Sequence, residues 1–153
     1  MKKIIIREPV SQDVDALVSL MGQLGYPISF REMEKNLLEY STRPNQKAWI
    51  AEKDKKAIGC IAVAITNYFH RKGTFLRVIT LVVDRDHRRE GIGKELMKKA
   101  ESYAKDLGCS HVELTSGMHR AKLGYHDFYR SLGFSDLGEI KKHFGKKLAT
   151  EEF

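Results

Sequence analysis

The 153-residue chain predicts a single α/β domain (residues 1–153): a mixed, mostly antiparallel, twisted sheet flanked by about four helices. Three observations carry this reading. Short β-branched or alternating segments, such as Ile4-Ile5-Ile6 and His111-Val112-Glu113-Leu114, have the period of strands. Longer segments repeat apolar residues at helical spacing, as Leu96, Met97, Ala100, Tyr103, Ala104 and Leu107 do. Glycines and capping residues mark the points where one kind gives way to the other. A chain of this length can bury one real core.

The elements follow in chain order. Residues 3–7 form a short first strand. Ser11 stands as the cap of a first helix, with Asp13 and Asp15 in the opening turn where acidic groups favour the dipole. Val14, Leu17, Val18 and Met21 make its apolar stripe, and the stretch from Gly22 to Pro27 breaks it. Ser29-Phe30-Arg31-Glu32 has the spacing of a capping box, with Ile28 and Met33 as the hydrophobic staple. It opens a second helix carrying Met33, Leu37 and Leu38, which closes within residues 41–45. Residues 48–52 and 57–68 read as a hairpin around Asp54-Lys55-Lys56, and residues 74–84 as the central strand. Gly108 ends a third helix and Gly133 a fourth, each suited to the left-handed position after a helix. Residues 134–137 and 142–148 are expected to add closing strands.

The chemistry concentrates in Leu81-Val82-Val83-Asp84-Arg85-Asp86-His87-Arg88-Arg89-Glu90-Gly91-Ile92-Gly93-Lys94. An apolar strand stops at an acid, crosses a basic, glycine-punctuated turn and enters the third helix. The first amides of a helix have no internal acceptor, and the macrodipole leaves about half a positive charge there. Gly91 and Gly93 admit a ligand where a Cβ would collide, while Arg88, Arg89 and Lys94 add formal charge. The physical reading is a polyphosphate site. A P-loop is excluded because no Gly-Lys-Ser/Thr follows, and the dinucleotide fingerprint fails at Leu96, where its third glycine would stand.

Arg88-Arg89-Glu90-Gly91-Ile92-Gly93 does fit Arg/Gln-x-x-Gly-x-Gly/Ala, and the turn resembles the acyl-CoA pyrophosphate loop of the GNAT superfamily of N-acyltransferases. Further on, His126-Asp127-Phe128-Tyr129-Arg130-Ser131-Leu132-Gly133-Phe134 resembles that family's H-x-F-Y-x-x-x-G-F signature. A strand-like segment, His111 to Ser116, lies between them, so the order of elements agrees as well. The resemblance covers essentially the whole chain, residues 1–50 in pattern only. It implies a GNAT fold and acetyl-CoA as acyl-donor co-substrate, with no metal.

Carried over residue by residue, the resemblance implies that the backbone of Leu81, Val82 and Val83 holds the pantetheine arm like an added strand. Amides of Arg89, Glu90, Gly91, Ile92, Gly93 and Lys94 would take the pyrophosphate, with Arg88 beside them. Tyr129 matches the tyrosine that assists the departing CoA thiolate. A phenol near pKa 10 protonates a thiolate near 8.5 only uphill, by roughly 2 kcal/mol, so a hydrogen bond to the developing thiolate is the more defensible role. A primary amine must lose a proton to attack, at roughly 4–5 kcal/mol at pH 7. Where many members of the family place a strand glutamate for this task, the chain has Arg77. His70, Glu113 and His126 are the remaining candidates for a base, and bulk water serves an amine of low pKa. The segment 117–125 is about two residues longer than in relatives carrying Arg-x-x-Ala-His-x-Phe-Tyr. Acceptor contacts are expected near the first two helices and the loop at His70, with Tyr26, His70, Ser116 and His126 as the weakest assignments.

Composition narrows the classes. The formal net charge is +7, but the basic residues are scattered, and no aromatic platform alternates with the clusters at Arg88/Arg89, Lys98/Lys99 and 141–147. A solvated surface and a basic mouth for CoA explain the charge without nucleic acid. No apolar run approaches the ~18–20 residues of a membrane span, and Lys2 to Arg7 reads as a strand rather than a leader. Cys60 and Cys109 make no disulfide framework, which suits a reducing cytoplasm. Three functions stay open: acetylation of a small-molecule amine, acetylation of a protein lysine or N-terminus, and a non-catalytic CoA-binding module. A homodimer paired through an edge strand is expected by analogy with the fold.

Overall fold

Among the described residues, five strands lie side by side in chain order in one sheet: β1 (Ile5–Arg7), β2 (Gln46–Lys53), β3 (Lys56–Asn67), β4 (Thr74–Val83) and β5 (His111–Leu114). The first three pairings are antiparallel and β4–β5 is parallel. The α-helices of the described residues are α1 (Val14–Leu24), α2 (Phe30–Thr42), α3 (Ile92–Asp106) and α4 (Tyr125–Ser131). This computed structural model describes residues 3–116, 124–138 and 140–148. The chain divides into a first unit, Met1–Thr115, which holds the sheet and α1 to α3, and a second, Ser116–Phe153, which holds α4. Among the described residues no helix is long and apolar enough to cross a membrane.

Side-chain alternation along the strands assigns the two faces of the sheet. Ile50, Cys60 and Val82 are register partners across β2, β3 and β4, and they pack with Val14, Leu17 and Leu20 of α1 and Leu37 of α2. On the opposite face Trp49 meets Tyr103 of α3 edge-on, with ring centroids 5.2 Å apart. Ile92, Leu96, Met97, Ala100 and Ala104 are the buried stripe of α3.

Local chemistry explains the turns. Asp54 and Lys55 join β2 to β3 with φ of 52° and 63°, a two-residue connection whose left-handed residues match the strand twist. Ser29 caps α2 by accepting from the Glu32 amide at 3.1 Å, as its spacing predicts. Gly25, Gly108 and Gly133 follow α1, α3 and α4 in the left-handed conformation.

Several sequence expectations are corrected. Ser11 does not cap α1; it begins a 3-10 turn, Ser11–Asp13, and its hydroxyl bonds Gln12. The aspartate after it is instead drawn inside. Asp13 accepts both guanidinium N–H groups of Arg7 at 2.9 Å and the Val10 amide at 2.7 Å. Burial works to raise the Asp13 pKa, but these hydrogen bonds and the Arg7 charge outweigh it and hold the carboxyl below its ordinary range. Leu38 is 64% exposed and Leu107 49%, so neither joins the apolar stripe assigned to it. Residues 134–137 and 142–148 form no strand; Phe144 and Leu148 are exposed there, so these segments do not bury the apolar face a closing strand needs.

Candidate active site

The strand-to-helix turn is built by ties to the elements around it. Asp84 continues β4 by donating its amide to the Ile58 carbonyl at 2.7 Å. That carbonyl belongs to the residue left over where Ala51 pairs with Gly59 and Glu52 with Ala57. The Asp84 carboxylate accepts from the Asp86 amide at 2.9 Å, and Gln23 of α1 accepts from the Arg85 amide at 2.9 Å. Arg89 (φ 65°) and Gly91 (φ 79°) are both left-handed, which turns the chain into α3. A non-glycine residue there is strained by roughly 1–2 kcal/mol. Arg89 and Lys94 are exposed. The first intrahelical donor of α3 is Glu95, to the Gly91 carbonyl at 3.1 Å, so the amides of Ile92, Gly93 and Lys94 precede the helical ladder.

Glu90 sits in this basic loop as its one carboxylate between Arg88 and Lys94. Lys53 donates to it at 2.6 Å and His87 lies 3.2 Å away. The Lys53 hydrogen bond, then the charges of Lys53 and His87, hold its pKa below the ordinary value against slight desolvation. Its negative charge is thereby neutralised by neighbours.

Gly59 was not singled out in the sequence. A Cβ there would lie 3.2 Å from Ile92 Cγ2, 3.2 Å from the Val82 carbonyl oxygen and 3.3 Å from Leu96 Cδ1. Its absence lets the first turn of α3 settle on β3. The signal available in the sequence was a glycine interrupting the apolar run Ala57 to Ile65.

The edge of β4 changes character halfway. Ala62 pairs with Thr80 and Val63 with Val78, leaving Ile79 as an extra residue in a β-bulge. Pairing with β5 runs only from Phe75 to Val78, so β5 offers no partner to Leu81, Val82 and Val83. A cavity of about 190 Å³ opens beside the bulge, lined among others by Met21, Met33, Leu37, Tyr40, Ala62 and Thr80. Cys60 also borders it; burial pushes this thiol up to about 12, so it stays protonated and unreactive.

Arg77, which stands where the resembled family often places a strand glutamate, donates to Glu113 at 3.0 Å across the β4–β5 pair. Glu113 lies also 3.2 Å from His111 Nε2, which Tyr68 approaches at 3.3 Å. His111 stacks on Phe75 at 5.1 Å between centroids, and Arg71 lies 4.0 Å over the Tyr68 ring. Glu113 is thus held in an ion pair rather than standing free. His70 is exposed, edge-on to Tyr68 at 5.5 Å. Tyr26 is exposed between α1 and α2. Among the described residues no group of three or more His, Cys, Asp or Glu could hold a metal ion.

In the second unit, His126 and Tyr129 are three residues apart on α4 and therefore on one side of it. Tyr129 packs against Phe128 and Phe134, with centroids 5.4 and 6.1 Å away. Ser116 has a buried hydroxyl with no partner among the described residues, as has the Gln46 side-chain oxygen in the first unit. Of the lengthened segment 117–125, residues 117–123 lie outside the described residues.

The model of the acetyltransferase (GNAT) family matches residues 15–134, running from α1 through α4. Human N-acetyltransferase 8 is 32% identical over 91 residues, covering 60% of the chain and 39% of that relative. The chain therefore spans about two fifths of the length of this curated relative. Among solved structures, glucosamine-6-phosphate N-acetyltransferase from Arabidopsis thaliana superposes with a TM-score of 0.78 at 20% identity, covering 96% of this chain and 99% of that one. An aminoglycoside N-acetyltransferase in complex with CoA superposes at 0.79 with 18% identity, covering 97% of each. At these identities the two structures share the fold.

Proposed function

The chain belongs to the GNAT acetyltransferase family, and from that premise we propose that it transfers the acetyl group of acetyl-CoA to a primary amine of a small molecule within a ternary complex. The observation that carries the proposal is the turn at Gly91, where a strand edge, a left-handed glycine and the open end of α3 meet. Amides from Arg89 to Lys94 would take the diphosphate, with Arg88 beside them. A negative ligand there gains from the helix end and from the exposed cations. The edge of Leu81, Val82 and Val83, beyond the pairing with β5, would receive the amide-bearing arm as an added strand.

Acetyl-CoA supplies an activated acyl carbon and a good leaving group. The amine nitrogen attacks the thioester carbonyl, the C–N bond forms, the C–S bond breaks, and sulfur leaves with the electron pair. Tyr129 is assigned the hydrogen bond to that thiolate. Glu113 is engaged by Arg77 and His111, which leaves His70 and His126 as the side chains to pass the amine's surplus proton to solvent. The reading carries with it a cytoplasmic setting, where acetyl-CoA is available, and a homodimer paired through an edge strand. The small cavity beside the bulge favours a small acceptor over a protein segment.

Calorimetry with acetyl-CoA tests the donor site, and thiol release with an amine panel tests transfer. At a hundred-fold excess over Kd the ligand should stabilise the protein by about 2.7 kcal/mol. Absence of both heat and stabilisation overturns the proposal.

A further inference from the structure

The face of the sheet beneath α1 and α2 holds two adjacent rows of register partners with different bulk. Ile50, Cys60 and Val82 fill one row and join the core. Two residues along, Ala48, Ala62 and Thr80 are partners in turn and offer only two methyl groups and a short hydroxyl-bearing side chain. The space of about 190 Å³ stands over this second row, roofed by Met21, Met33 and Leu37. The described residues that line it include none with a formal charge; Asn36, Tyr40 and Thr80 are its polar members.

Size and place both bear on what enters. A dry cavity of about 150 Å³ lined by aliphatic and aromatic side chains accepts benzene, so this one, at about 190 Å³, has room for an aromatic ring with a short link. Thr80 and Ile79 line it and immediately precede Leu81, Val82 and Val83. On the acetyl-CoA reading, an arm laid along that edge with its diphosphate at α3 would run away from the loop and bring its sulfur end to the strand at Thr80.

We propose that the acceptor is a primary amine with one compact apolar body, an arylalkylamine in size and character, whose ring fills the space over Ala48, Ala62 and Thr80. This rests on the acetyl-CoA reading of the neighbouring strand edge. The ring enters between α1 and α2, and the amino group stays at Thr80, where the thioester carbon arrives. The nitrogen lone pair forms the C–N bond as the C–S bond breaks; sulfur keeps the electron pair and leaves as the thiolate, the nitrogen gives up its extra proton to solvent, and solvent returns one proton to the released thiolate. Amino sugars, aminoglycosides and polyamines suit the space poorly. Each hydroxyl or second ammonium would leave water for a wall with few polar partners.

The full chain at saturating acetyl-CoA is assayed for thiol release with phenethylamine, glucosamine 6-phosphate, an aminoglycoside and spermidine. Phenethylamine should show kcat/KM at least tenfold above the others. Ala62→Leu, which fills the space, should raise its KM at least tenfold while the acetyl-CoA Kd measured by calorimetry is unchanged. Met33→Ala, which widens the space, should shift preference toward the larger tryptamine, and it serves if Ala62→Leu does not fold. Phenethylamine alone should also raise the melting temperature of the wild type but not of Ala62→Leu. Faster turnover of the polar amines, or an unaltered phenethylamine KM in Ala62→Leu, overturns the proposal while leaving the donor site intact. Loss of acetyl-CoA binding in the wild type, with phenethylamine stabilisation retained, overturns only the donor reading.

Discussion

Gly59 and Ile92 pack so closely that a Cβ at 59 would stand 3.2 Å from Ile92 Cγ2 and equally close to the Val82 carbonyl oxygen, so a side chain there would press on both. The contact joins the first residue of α3 to the middle of the sheet. The open amides of Ile92, Gly93 and Lys94 are thereby fixed relative to the β4 edge. Gly59→Val should overpack this junction and cost about 1–3 kcal/mol in urea unfolding. In the folded variant the acetyl-CoA Kd should rise, because the helix end is displaced from the strand. Calorimetry that finds the wild-type Kd would disconnect the junction from the ligand.

Lys53 lies 2.6 Å from Glu90 and neutralises the acid inside the basic loop. Lys53→Met should leave that carboxylate facing the diphosphate and weaken acetyl-CoA binding a few-fold at low salt. The defect should shrink at high salt, since the screening length falls from about 10 Å at 0.1 M to about 3 Å at 1 M. Glu90→Gln in the Lys53→Met background should restore affinity. A salt-independent defect would point to a change of loop shape.

Asp13 and Arg7 form the charged pair that ties β1 to the start of α1. The folded pKa of Asp13 is depressed, so its contribution is complete above the unfolded value of about 4 and is lost as pH falls through the folded value. Asp13→Asn should cost about 2–3 kcal/mol at pH 7 by leaving the guanidinium without its main partner. It should also flatten the decline of stability below about pH 4. Parallel acid limbs in wild type and variant would reject the assignment.

Tyr129→Phe removes one hydroxyl and keeps the ring contacts with Phe128 and Phe134. With the tyrosine assisting the thiolate, kcat should fall about 10²–10⁴-fold while the acetyl-CoA Kd is preserved. Unchanged turnover removes Tyr129 from the mechanism.

What could be read from the chain was whatever depends on neighbours in sequence. The capping geometry at Ser29, the glycines that follow α1, α3 and α4, and the left-handed Gly91 ahead of α3 are local events governed by backbone dihedrals and nearby donors. Helix faces were legible less evenly. Val14 and Leu17 are buried as their spacing implies, but Leu38 sits one position round the helix from buried Leu37 and Leu107 lies past the end of α3, and both are exposed.

Sequence order alone determined the α/β character of the protein and the glycine turn into α3, since both arise from residues within a few positions of one another. Tertiary structure decided which distant residues meet: Asp13 with Arg7, Arg77 with Glu113, Gly59 with Ile92, and Ala48 with Ala62 and Thr80. Strand register fixes those meetings, and a single bulged residue such as Ile79 shifts every partner beyond it.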